Sequence, residues 1–580
     1  MRTAAAALAL AVLAVLAVAA PATAAIDPLT LRDGKLTDPQ GRQVVLHGIN
    51  VHYKRAPFLP HDGGGVRTSF TDAEAEQLRE WGWNTVRLAF SMEGLMPEPG
   101  RIDEDFVRRY VAMVRMAARH GQYVLVDFHQ DEMSSKYAGN GMPAWMVDDD
   151  GIPFPGSTGH PNDYLQPAVQ RAFRNLFRDS AGQRTAFVQA FAQLARALRD
   201  EPGVLGYDMF NEPSCEFDAE TGYGDPSQQF ANDPRAAGVC LAPLYDQLVP
   251  ALREADPNHP VFYEDFFNSA WGYVPYGVGE PPNKPWPFAD TGLSFHVYCP
   301  HPLRSETPCP VHERDAFDRA VANAKRNRAW PLLSEFGAVD DLAPTRRALE
   351  NADRLGLSWQ FWSLKTWDDP HPGFGADSLN PEADGFSLID KQGRVKPGKL
   401  ALLARAYPQR IAGTDAEWSF DPAARRFAMT WRPARDGVTE IALPLSVQYR
   451  EGYRVAADGA RVAGERDGRL LVRGTAERAS LTIEPGADPG GDPAARECRS
   501  RRRLTLTVAK PRRGRIRRVR VRSNLGRARA VAPQRRGGRW RVKLDLRGAR
   551  RGRVLVRIRV TTSRGRTLEQ VRRFRTCARR

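Results

Sequence analysis

The chain has 580 residues and a formal net charge of +16, and this length is enough for two to four domains. The charge is unevenly divided, because residues 498–580 hold 32 lysines and arginines against two acidic residues, whereas residues 1–497 hold 52 basic and 66 acidic residues. These numbers exclude a uniformly basic protein. Beyond the first residues, no segment is long and apolar enough to span a bilayer.

The first 25 residues have the pattern of a secretory signal peptide. Arg2 supplies a positive n-region, Leu8 to Ala20 form a short apolar core, and Ala22-Thr23-Ala24 is a small-residue cleavage site. A membrane-spanning helix is the alternative, but the apolar run is short and ends at Pro21. We therefore expect a secreted, extracellular protein with a signal peptide over residues 1–25.

Eight short, nearly continuous apolar segments recur between helical stretches, as expected for strands that are buried on both faces. Between them, Thr71-x-x-Glu74 is a capping box for a helix to Glu80, and Phe106–His120 and Thr185–Leu198 have helical spacing. This alternation predicts an α/β fold, a (β/α)8 TIM barrel over residues 26–410. In chain order, the strand candidates are Val44–Val51, Thr85–Phe90, Tyr123–His129, Val204–Phe210, Pro260–Phe266, Gly292–Tyr298, Trp330–Gly337 and Gly356–Leu364.

The pattern changes after the barrel. Residues 411–485 contain short alternating runs and no long helix, which predicts a small β-sandwich. Residues 486–497 are rich in Gly, Pro and Asp and are typical of a linker.

Residues 498–580 form a third predicted module, in which arginine alternates with apolar residues, as in Arg553–Val560. Such strands would bury one face and expose a row of guanidinium groups, which predicts a second, basic β-sandwich-like module. A binding face and a merely solvated basic face are both compatible with this pattern. A disordered basic tail is the weaker alternative, because the alternation and the two flanking cysteines favour folding.

Six cysteines are consistent with export. Pairing in sequence order is the simplest arrangement, although sequence leaves the connectivity open. The spacing of cysteine and histidine does not match a zinc site. The candidate pairs are Cys215 with Cys240, Cys299 with Cys309, and Cys498 with Cys577.

Polar and aromatic residues lie on or directly after six of the eight strand candidates. The carboxyl ends of barrel strands meet at one face, where enzymes with this fold carry their sites. Glu212 and Glu335 would form a carboxylate pair there, and such a pair supplies the proton donor and the nucleophile or base of glycoside hydrolysis. Each residue alone also has a structural interpretation. The residues are Arg87, His129, Gln130, Asp131, Asn211, Glu212, His296, Tyr298, Glu335 and Trp362.

The chain resembles glycoside hydrolase family 5, a retaining (β/α)8 family, in the order of Arg87, His129, Asn211, Glu212, His296, Tyr298, Glu335 and Trp362. The resemblance implies that Glu212 is the acid/base and Glu335 the nucleophile, with no metal and no cofactor. It also implies that Arg87 and Tyr298 keep Glu335 ionised, that Asn211 bonds a sugar hydroxyl, and that Trp362 offers a flat face to a sugar ring.

A narrower resemblance, to the endoglycoceramidase-like branch of that family, is carried by three segments. They are Asp127-Phe128-His129-Gln130-Asp131, His47-Gly48-Ile49-Asn50-Val51 followed by Lys54, and Tyr407-Pro408 followed by Ile411-Ala412-Gly413-Thr414. That branch cuts the glycan from ceramide. The resemblance implies a glycolipid or β-glycoside substrate, with Lys54, Gln130 and Asp131 as ligands of sugar hydroxyls.

Other functions stay open at this point. A β-glucosidase, steryl-glucosidase or β-glucanase of the same family would have the same two glutamates, and a non-catalytic carbohydrate-binding surface protein would not need both. The basic tail predicts binding to an anionic cell-wall or membrane surface through accumulated charge. Nucleic acid is not an expected partner, because export is predicted and no nucleic-acid fold motif is present. The sequence leaves the oligomeric state undetermined.

Overall fold

The computed structural model describes residues 26–62, 64–216, 237–267, 269, 276–281, 283–298, 309–368, 387–486, 503–507, 515–523, 534–536, 539–545, 552–563 and 567–576. The chain divides into two compact units at Asp488 and Pro489. The predicted signal peptide, most of the predicted linker, and Cys299, Cys498 and Cys577 lie outside the described residues.

The strands of the first unit are β1 (Thr30–Arg32), β2 (Lys35–Thr37), β3 (Gln43–Val44), β4 (His47–Val51), β5 (Thr85–Phe90), β6 (Tyr123–Phe128), β7 (Val204–Asp208), β8 (Val261–Tyr263), β9 (Gly292–Val297), β10 (Trp330–Phe336), β11 (Ser358–Phe361), β12 (Tyr407–Ile411), β13 (Gly413–Asp421), β14 (Arg426–Pro433), β15 (Val438–Ala442), β16 (Tyr453–Asp458), β17 (Ala460–Arg466), β18 (Arg469–Gly474) and β19 (Ala479–Pro485). Its described α-helices are α1 (Asp72–Glu80), α2 (Met92–Leu95), α3 (Glu104–Arg119), α4 (Pro167–Arg178), α5 (Gln183–Leu198), α6 (Ala242–Ala255), α7 (Cys309–Arg326), α8 (Leu342–Leu355) and α9 (Pro397–Leu403). Among the described residues, no helix combines the length and the hydropathy needed to cross a membrane.

Strands β4 to β11 close into a parallel barrel, in which each strand pairs with its sequence neighbour and β11 pairs with β4. The residues of β5 and β6 are buried throughout, because helices cover the outer face of the barrel and side chains fill its interior. Each barrel strand lies inside the segment predicted for it. The predicted TIM barrel is therefore confirmed.

The first turn of α1 follows the predicted capping chemistry. The side chain of Thr71 accepts from the backbone N–H of Glu74, and the Glu74 carboxylate accepts from the backbone N–H of Thr71 at 2.8 Å. This reciprocal pair satisfies donors that the first helical turn leaves open. In α3, Phe106, Tyr110, Val114 and Ala117 are buried, as their helical spacing predicts.

The first predicted barrel strand is divided between two sheets. Gln43 and Val44 form β3, which pairs with β12 outside the barrel, and the barrel strand begins at His47. The hairpin of β1 and β2 precedes β3, and its Leu31 and Leu36 pack in one cluster with barrel residues such as Leu125. Sequence did not reveal this division because an uninterrupted apolar run does not show whether it holds one strand or two.

Two sheets follow the barrel and share a core. One has seven strands in the order β1-β2-β3-β12-β15-β18-β17, and the other has four in the order β13-β14-β19-β16. Trp418 and Phe427 from the smaller sheet and Tyr407 and Val472 from the larger one belong to the same buried cluster. The sandwich thus begins at Tyr407 rather than at residue 411 and includes three strands from the start of the chain.

The second unit is built from strands. They are β20 (Arg503–Thr507), β21 (Ile516–Ser523), β22 (Gln534–Arg536), β23 (Arg539–Asp545), β24 (Gly552–Thr562) and β25 (Thr567–Thr576), and they form two three-stranded sheets, β20-β23-β22 and β21-β24-β25. The part of residues 498–580 that the structure describes is therefore sheet.

The register of β21-β24-β25 sets several arginines opposite one another. Three pairs of arginines stand directly opposite each other: Arg520 and Arg559, Arg522 and Arg557, and Arg553 and Arg575. At alternate positions Val519 is opposite Val560 and Val521 is opposite Ile558. The pairing of β24 with β25 is mixed, because Arg559 is opposite Glu569, Arg557 is opposite Val571 and Val556 is opposite Arg572.

Disulfide bonding agrees with prediction where the structure describes it. Cys215, after β7, is bonded to Cys240, before α6. Cys309, the first residue of α7, is also disulfide-bonded.

Candidate active site

Two buried glutamates lie at the carboxyl end of the barrel. Glu335 belongs to β10, and Glu212 follows the end of β7 with a backbone φ of +42°. A carboxylate oxygen of each lies within 4.8 Å of the other, and the two residues are 4 % and 7 % exposed. The tertiary structure therefore brings together the two carboxylates that the sequence assigns to strand ends.

Three side chains contact the carboxylate of Glu335. Arg87 Nη1 donates to Oε1, the Tyr298 hydroxyl donates to Oε2 at 2.7 Å, and His296 Nδ1 lies 3.6 Å from Oε2. Burial raises the pKa of Glu335 to about 7, although His296 and Arg87 act to lower it. Arg87 and Tyr298 therefore stabilise the ionised carboxylate, as expected. Burial and the negative charge of Glu212 nevertheless raise its pKa by more than these contacts lower it.

Arg87, which we expected to contact substrate, is fully buried among carboxylates from other strands. The guanidinium donates to Asp208 of β7 at 2.9 Å and to Glu264, after β8, at 3.0 Å, and it lies 2.9 Å from Asp127 of β6. Together with its contact to Glu335, Arg87 therefore contacts carboxylates at the ends of four other barrel strands. These contacts are those of a positioning residue, and a contact of Arg87 with substrate stays a prediction.

His296, on β9, joins the two glutamates. Its Nδ1 lies 2.7 Å from Glu212 Oε1, and its Nε2 lies 3.4 Å from Glu264 Oε1. Burial alone would lower the pKa of His296, but the carboxylates of Glu264 and Glu335 raise it well above its usual range. A cationic imidazole between these carboxylates offsets part of their mutual repulsion.

Gln130, another expected sugar ligand, is turned toward the protein and is fully buried. Its Nε2 donates to the backbone carbonyls of Asn211 at 2.7 Å and Glu212 at 2.9 Å, and its Oε1 accepts from the backbone N–H of Met133 at 2.7 Å. These bonds use both ends of the amide, and a contact of Gln130 with a sugar hydroxyl stays a prediction for the substrate complex.

Asn211 is also engaged by protein groups. Its Oδ1 accepts from Arg87 at 2.8 Å, and its Nδ2 donates to the backbone carbonyl of Gln130 at 2.9 Å. The contact to a sugar hydroxyl that the family resemblance implies stays a prediction for the substrate complex.

A second cluster lies beside the glutamates and contains the remaining predicted residues. Lys54 Nζ donates to Asp131, and the Asp131 carboxylate also accepts from Asn140 at 2.6 Å. His129 contacts Asp127 at 2.8 Å and stacks on Trp362 with ring centroids 5.2 Å apart. Lys54 Nζ lies 5.0 Å from the centroid of the Trp362 ring. These four predicted side chains therefore form one connected group.

Several residues of the site were missed. Glu264 accepts from the backbone N–H of Glu212 at 2.9 Å as well as contacting Arg87 and His296. A signal was available, because Glu264 lies near the carboxyl end of the fifth strand candidate, Pro260–Phe266, but no site residue was assigned to that strand. Asn50, inside the apolar β4, accepts from Arg87 at 3.3 Å. Ser294 donates to Asp208 at 2.7 Å, and nothing in the local sequence distinguishes it from a core serine.

Glu212, His296 and Glu335 are the group of described residues that could hold a metal ion, since their ligand atoms lie within 4.8 Å of one another. The imidazole and the carboxylates already contact one another directly. A hydrogen-bonded acid–base group accounts for this arrangement without an ion.

A small pocket adjoins Glu212 and His296. Phe266, Phe267 and Tyr276 line it, and Tyr164 stacks on Phe267 with centroids 4.5 Å apart. This position beside the acid/base candidate makes the pocket part of the same cleft.

Comparison with family models finds two matches. Residues 37–368 match the cellulase domain of glycosyl hydrolase family 5, and residues 405–484 match the glycoside hydrolase family 5 C-terminal domain. The two matches cover the barrel and the sandwich.

Related proteins align over most of the first unit. The endoglycoceramidase of Hydra vulgaris is 27 % identical over 447 residues, which cover 72 % of this chain and 81 % of the relative. Endoglycoceramidase I of Rhodococcus hoagii is 29 % identical over 453 residues, covering 75 % and 84 %. The solved structure of endo-glycoceramidase II from Rhodococcus sp. with a five-membered iminocyclitol has a TM-score of 0.62 at 25 % identity and covers 79 % of this chain and all of that chain.

Proposed function

Because this chain belongs to glycoside hydrolase family 5, we propose that it is a retaining β-glycosidase that releases the glycan of a glycolipid from ceramide. The membership makes the protein a glycoside hydrolase. The substrate is inferred from relatives that are named endoglycoceramidases and align over nearly three quarters of the chain. A β-glucosidase, steryl-glucosidase or β-glucanase is the competing substrate assignment.

The spacing of the two carboxyl groups carries the proposed mechanism. Retaining glycosidases hold them about 5–5.5 Å apart, whereas inverting ones hold them roughly 6.5–9.5 Å apart to admit a water molecule. Glu212 and Glu335 offer oxygen atoms within 4.8 Å of each other. This close approach supports double displacement.

In the first step Glu335 attacks the anomeric carbon while Glu212 protonates the departing glycosidic oxygen. In the second step Glu212 accepts a proton from water, which attacks the glycosyl–Glu335 ester and releases the glycan with its configuration retained. Tyr298 and Arg87 hold the oxygens of Glu335 in place, and His296 holds the Glu212 carboxyl.

Product analysis on glycolipids tests this proposal. The protein is incubated with lactosylceramide, glucosylceramide, galactosylceramide, a steryl glucoside and a soluble β-glucan, and both products are identified by mass. We expect intact lactose and ceramide from lactosylceramide. Release of terminal sugar alone, or stronger cleavage of the glucan, would contradict the substrate assignment. The Glu335→Gln variant is the control, and we expect it to lose a factor of about 10³ or more in turnover.

We also propose that the arginine-rich sheet β21-β24-β25 binds an anionic lipid surface. Like charges directly opposite each other destabilise a sheet, and three arginine pairs are opposed in this way, whereas Glu569 is opposite one of their members, Arg559. Anionic headgroups bound to this sheet would offset the remaining repulsion. A glycolipid substrate is held in a membrane, so attachment to the same surface raises the local substrate concentration.

Vesicle binding of the full chain tests the lipid proposal. The triple variant Arg520→Ser/Arg557→Ser/Arg559→Ser is compared with Arg101→Ser/Arg108→Ser/Arg435→Ser, which removes the same charge from exposed positions of the first unit. Each arginine near an anionic surface contributes about 1 kcal/mol, so we expect the first variant to bind phosphatidylserine vesicles roughly a hundredfold more weakly. Equal binding by both variants, or retention on teichoic acid but not on vesicles, would contradict the proposal.

We propose, finally, that the protein acts outside the cell. The signal-peptide pattern of residues 1–25 and the disulfide between Cys215 and Cys240 support this location, because disulfides persist in oxidising compartments. N-terminal sequencing of protein recovered from growth medium should begin near Ile26. Recovery from the cell interior alone, with an intact N-terminus, would contradict it.

A further inference from the structure

The turn that follows β6 contains two consecutive residues in a left-handed conformation. Glu132 has a φ of +47° and Met133 a φ of +74°. Residues other than glycine adopt this conformation at a cost, and it persists where neighbouring groups determine it. The turn lies directly after Gln130 and Asp131, so its shape sets where those two residues stand.

Two contacts hold this turn. The backbone N–H of Met133 donates to Gln130 Oε1 at 2.7 Å, and Glu132 Oε1 lies 2.6 Å from His160 Nδ1. The Glu132 and His160 side chains are 2 % and 7 % exposed. The buried pair of Glu132 and His160 therefore joins this turn to a segment that lies 28 residues further along the chain.

The same turn reaches the catalytic acid/base through one further side chain. Gln130 Nε2 donates to the carbonyl of Glu212, whose own backbone has a φ of +42°. Tyr164, whose ring centroid lies 5.9 Å from that of His160, has its hydroxyl 3.1 Å from Gln130 Nε2. Glu132, His160 and Tyr164 therefore lie around the Gln130 side chain, which donates to the Glu212 backbone.

We propose that the buried ion pair of Glu132 and His160 positions the acid/base Glu212 by fixing the turn from which Gln130 holds the Glu212 backbone. The inference rests on the proposed function, because it assigns Glu212 the role of proton donor. Neither member of the pair contacts the reacting atoms in this scheme, so both are positioning residues. A positively charged His160 is consistent with an ion pair. Burial alone would lower the pKa of His160, but Glu132 raises it to about 9.

The leaving group distinguishes this role from a general structural one. A glycoside with a dinitrophenyl leaving group departs without protonation, whereas departure of ceramide needs the proton of Glu212. If the pair positions Glu212, its loss lowers kcat/KM for lactosylceramide and spares kcat/KM for 2,4-dinitrophenyl β-lactoside. If the pair merely stabilises the fold, both values fall together.

The test uses the full chain with Glu132→Gln and with the double variant Glu132→Gln/His160→Gln, which leaves no unpaired buried charge and so remains informative if the single variant fails to fold. The matched control is Glu313→Gln, which breaks a buried pair with Arg347 on the outer helices α7 and α8. Proton transfer by a positioned group contributes about 10²–10⁴-fold, so we expect the ratio of the two kcat/KM values to change by about tenfold or more in the first two variants. We expect no change of that ratio in the control.

The Glu212→Ala variant distinguishes failure of this inference from failure of the proposed function. If Glu212→Ala changes the ratio and the Glu132 variants do not, the proposed function stands and this inference is wrong. If Glu212→Ala leaves the ratio unchanged, or the unaltered chain cleaves neither substrate, the proposed function is wrong and this inference fails with it.

Discussion

Arg87 is the cation around which the buried carboxylates of the site are arranged. It contacts Asp127, Asp208, Glu264 and Glu335, each supplied by a different strand end. A single guanidinium with several fixed donors satisfies such a set, whereas a lysine offers one compact charge. With His296, it lets two glutamates remain close together in a buried site.

At the same scale, His160 makes the stability of the fold depend on pH. Its pKa is raised from an ordinary value of 6.5 to about 9, so the stability it contributes is fully present below about 6.5 and is lost as pH rises through about 9. Burial also raises the pKa of Glu132, which lowers stability at both pH 6 and pH 10. We therefore expect the free energy of unfolding of the unaltered chain to fall by up to about 3 kcal/mol between pH 6 and pH 10, relative to that of Glu132→Gln/His160→Gln.

Urea unfolding at pH 6, 8 and 10 measures this difference. The control is Glu313→Gln, because neither Glu313 nor its partner Arg347 changes charge between these pH values. A difference that stays constant from pH 6 to pH 10 in the double variant would contradict the assignment.

Among the elements, the hairpin of β1 and β2 closes the end of the barrel opposite the site. Leu31 and Leu36 pack with Leu125, Phe262 and Leu332 from three barrel strands. Barrel interiors are filled with side chains rather than open, and the hairpin completes that filling at the amino ends of the strands. Its contribution is to stability, because the catalytic residues lie at the other end.

We expect Leu36→Ala to lower the free energy of unfolding by about 2–5 kcal/mol, because it leaves a cavity at a site that is 1 % exposed. KM for an aryl glycoside should stay unchanged. Val462→Ala, at a valine that is 45 % exposed, is the control and should change stability by no more than about 0.5 kcal/mol. A loss of activity in Leu36→Ala under conditions where it is fully folded would contradict this separation.

The whole molecule joins an acidic catalytic unit to a basic one. The division at Asp488 falls close to the change of charge, since residues 498–580 hold 32 basic residues against two acidic ones. Attraction of such a unit to an anionic surface acts over about 8–10 Å at physiological salt and weakens as salt is added. The catalytic chemistry, by contrast, is contained in the first unit.

A chain that ends at Asp488 separates these contributions. We expect it to retain the kcat/KM of the full chain on a soluble aryl β-lactoside. On lactosylceramide in phosphatidylserine vesicles we expect it to be slower than the full chain at low salt and equal to it at high salt, because screening removes the attraction. Equal rates on vesicles at low salt would show that the basic unit does not assist the reaction.

The sequence by itself determined the barrel and the identity of the two glutamates. Strands buried on both faces are apolar along most of their length, so each of the eight barrel strands could be located from local pattern. Glu212 and Glu335 could be paired because the ends of barrel strands meet at one face whatever the intervening loops contain.

The tertiary structure alone decided what surrounds that pair. Gln130 and Arg87 were expected to face substrate, but contacts with residues more than 80 positions away turn both toward the protein. The pair of Glu132 and His160 was missed for the same reason. Local sequence records the chemistry a side chain offers, whereas its direction depends on partners that only folding brings within hydrogen-bonding distance.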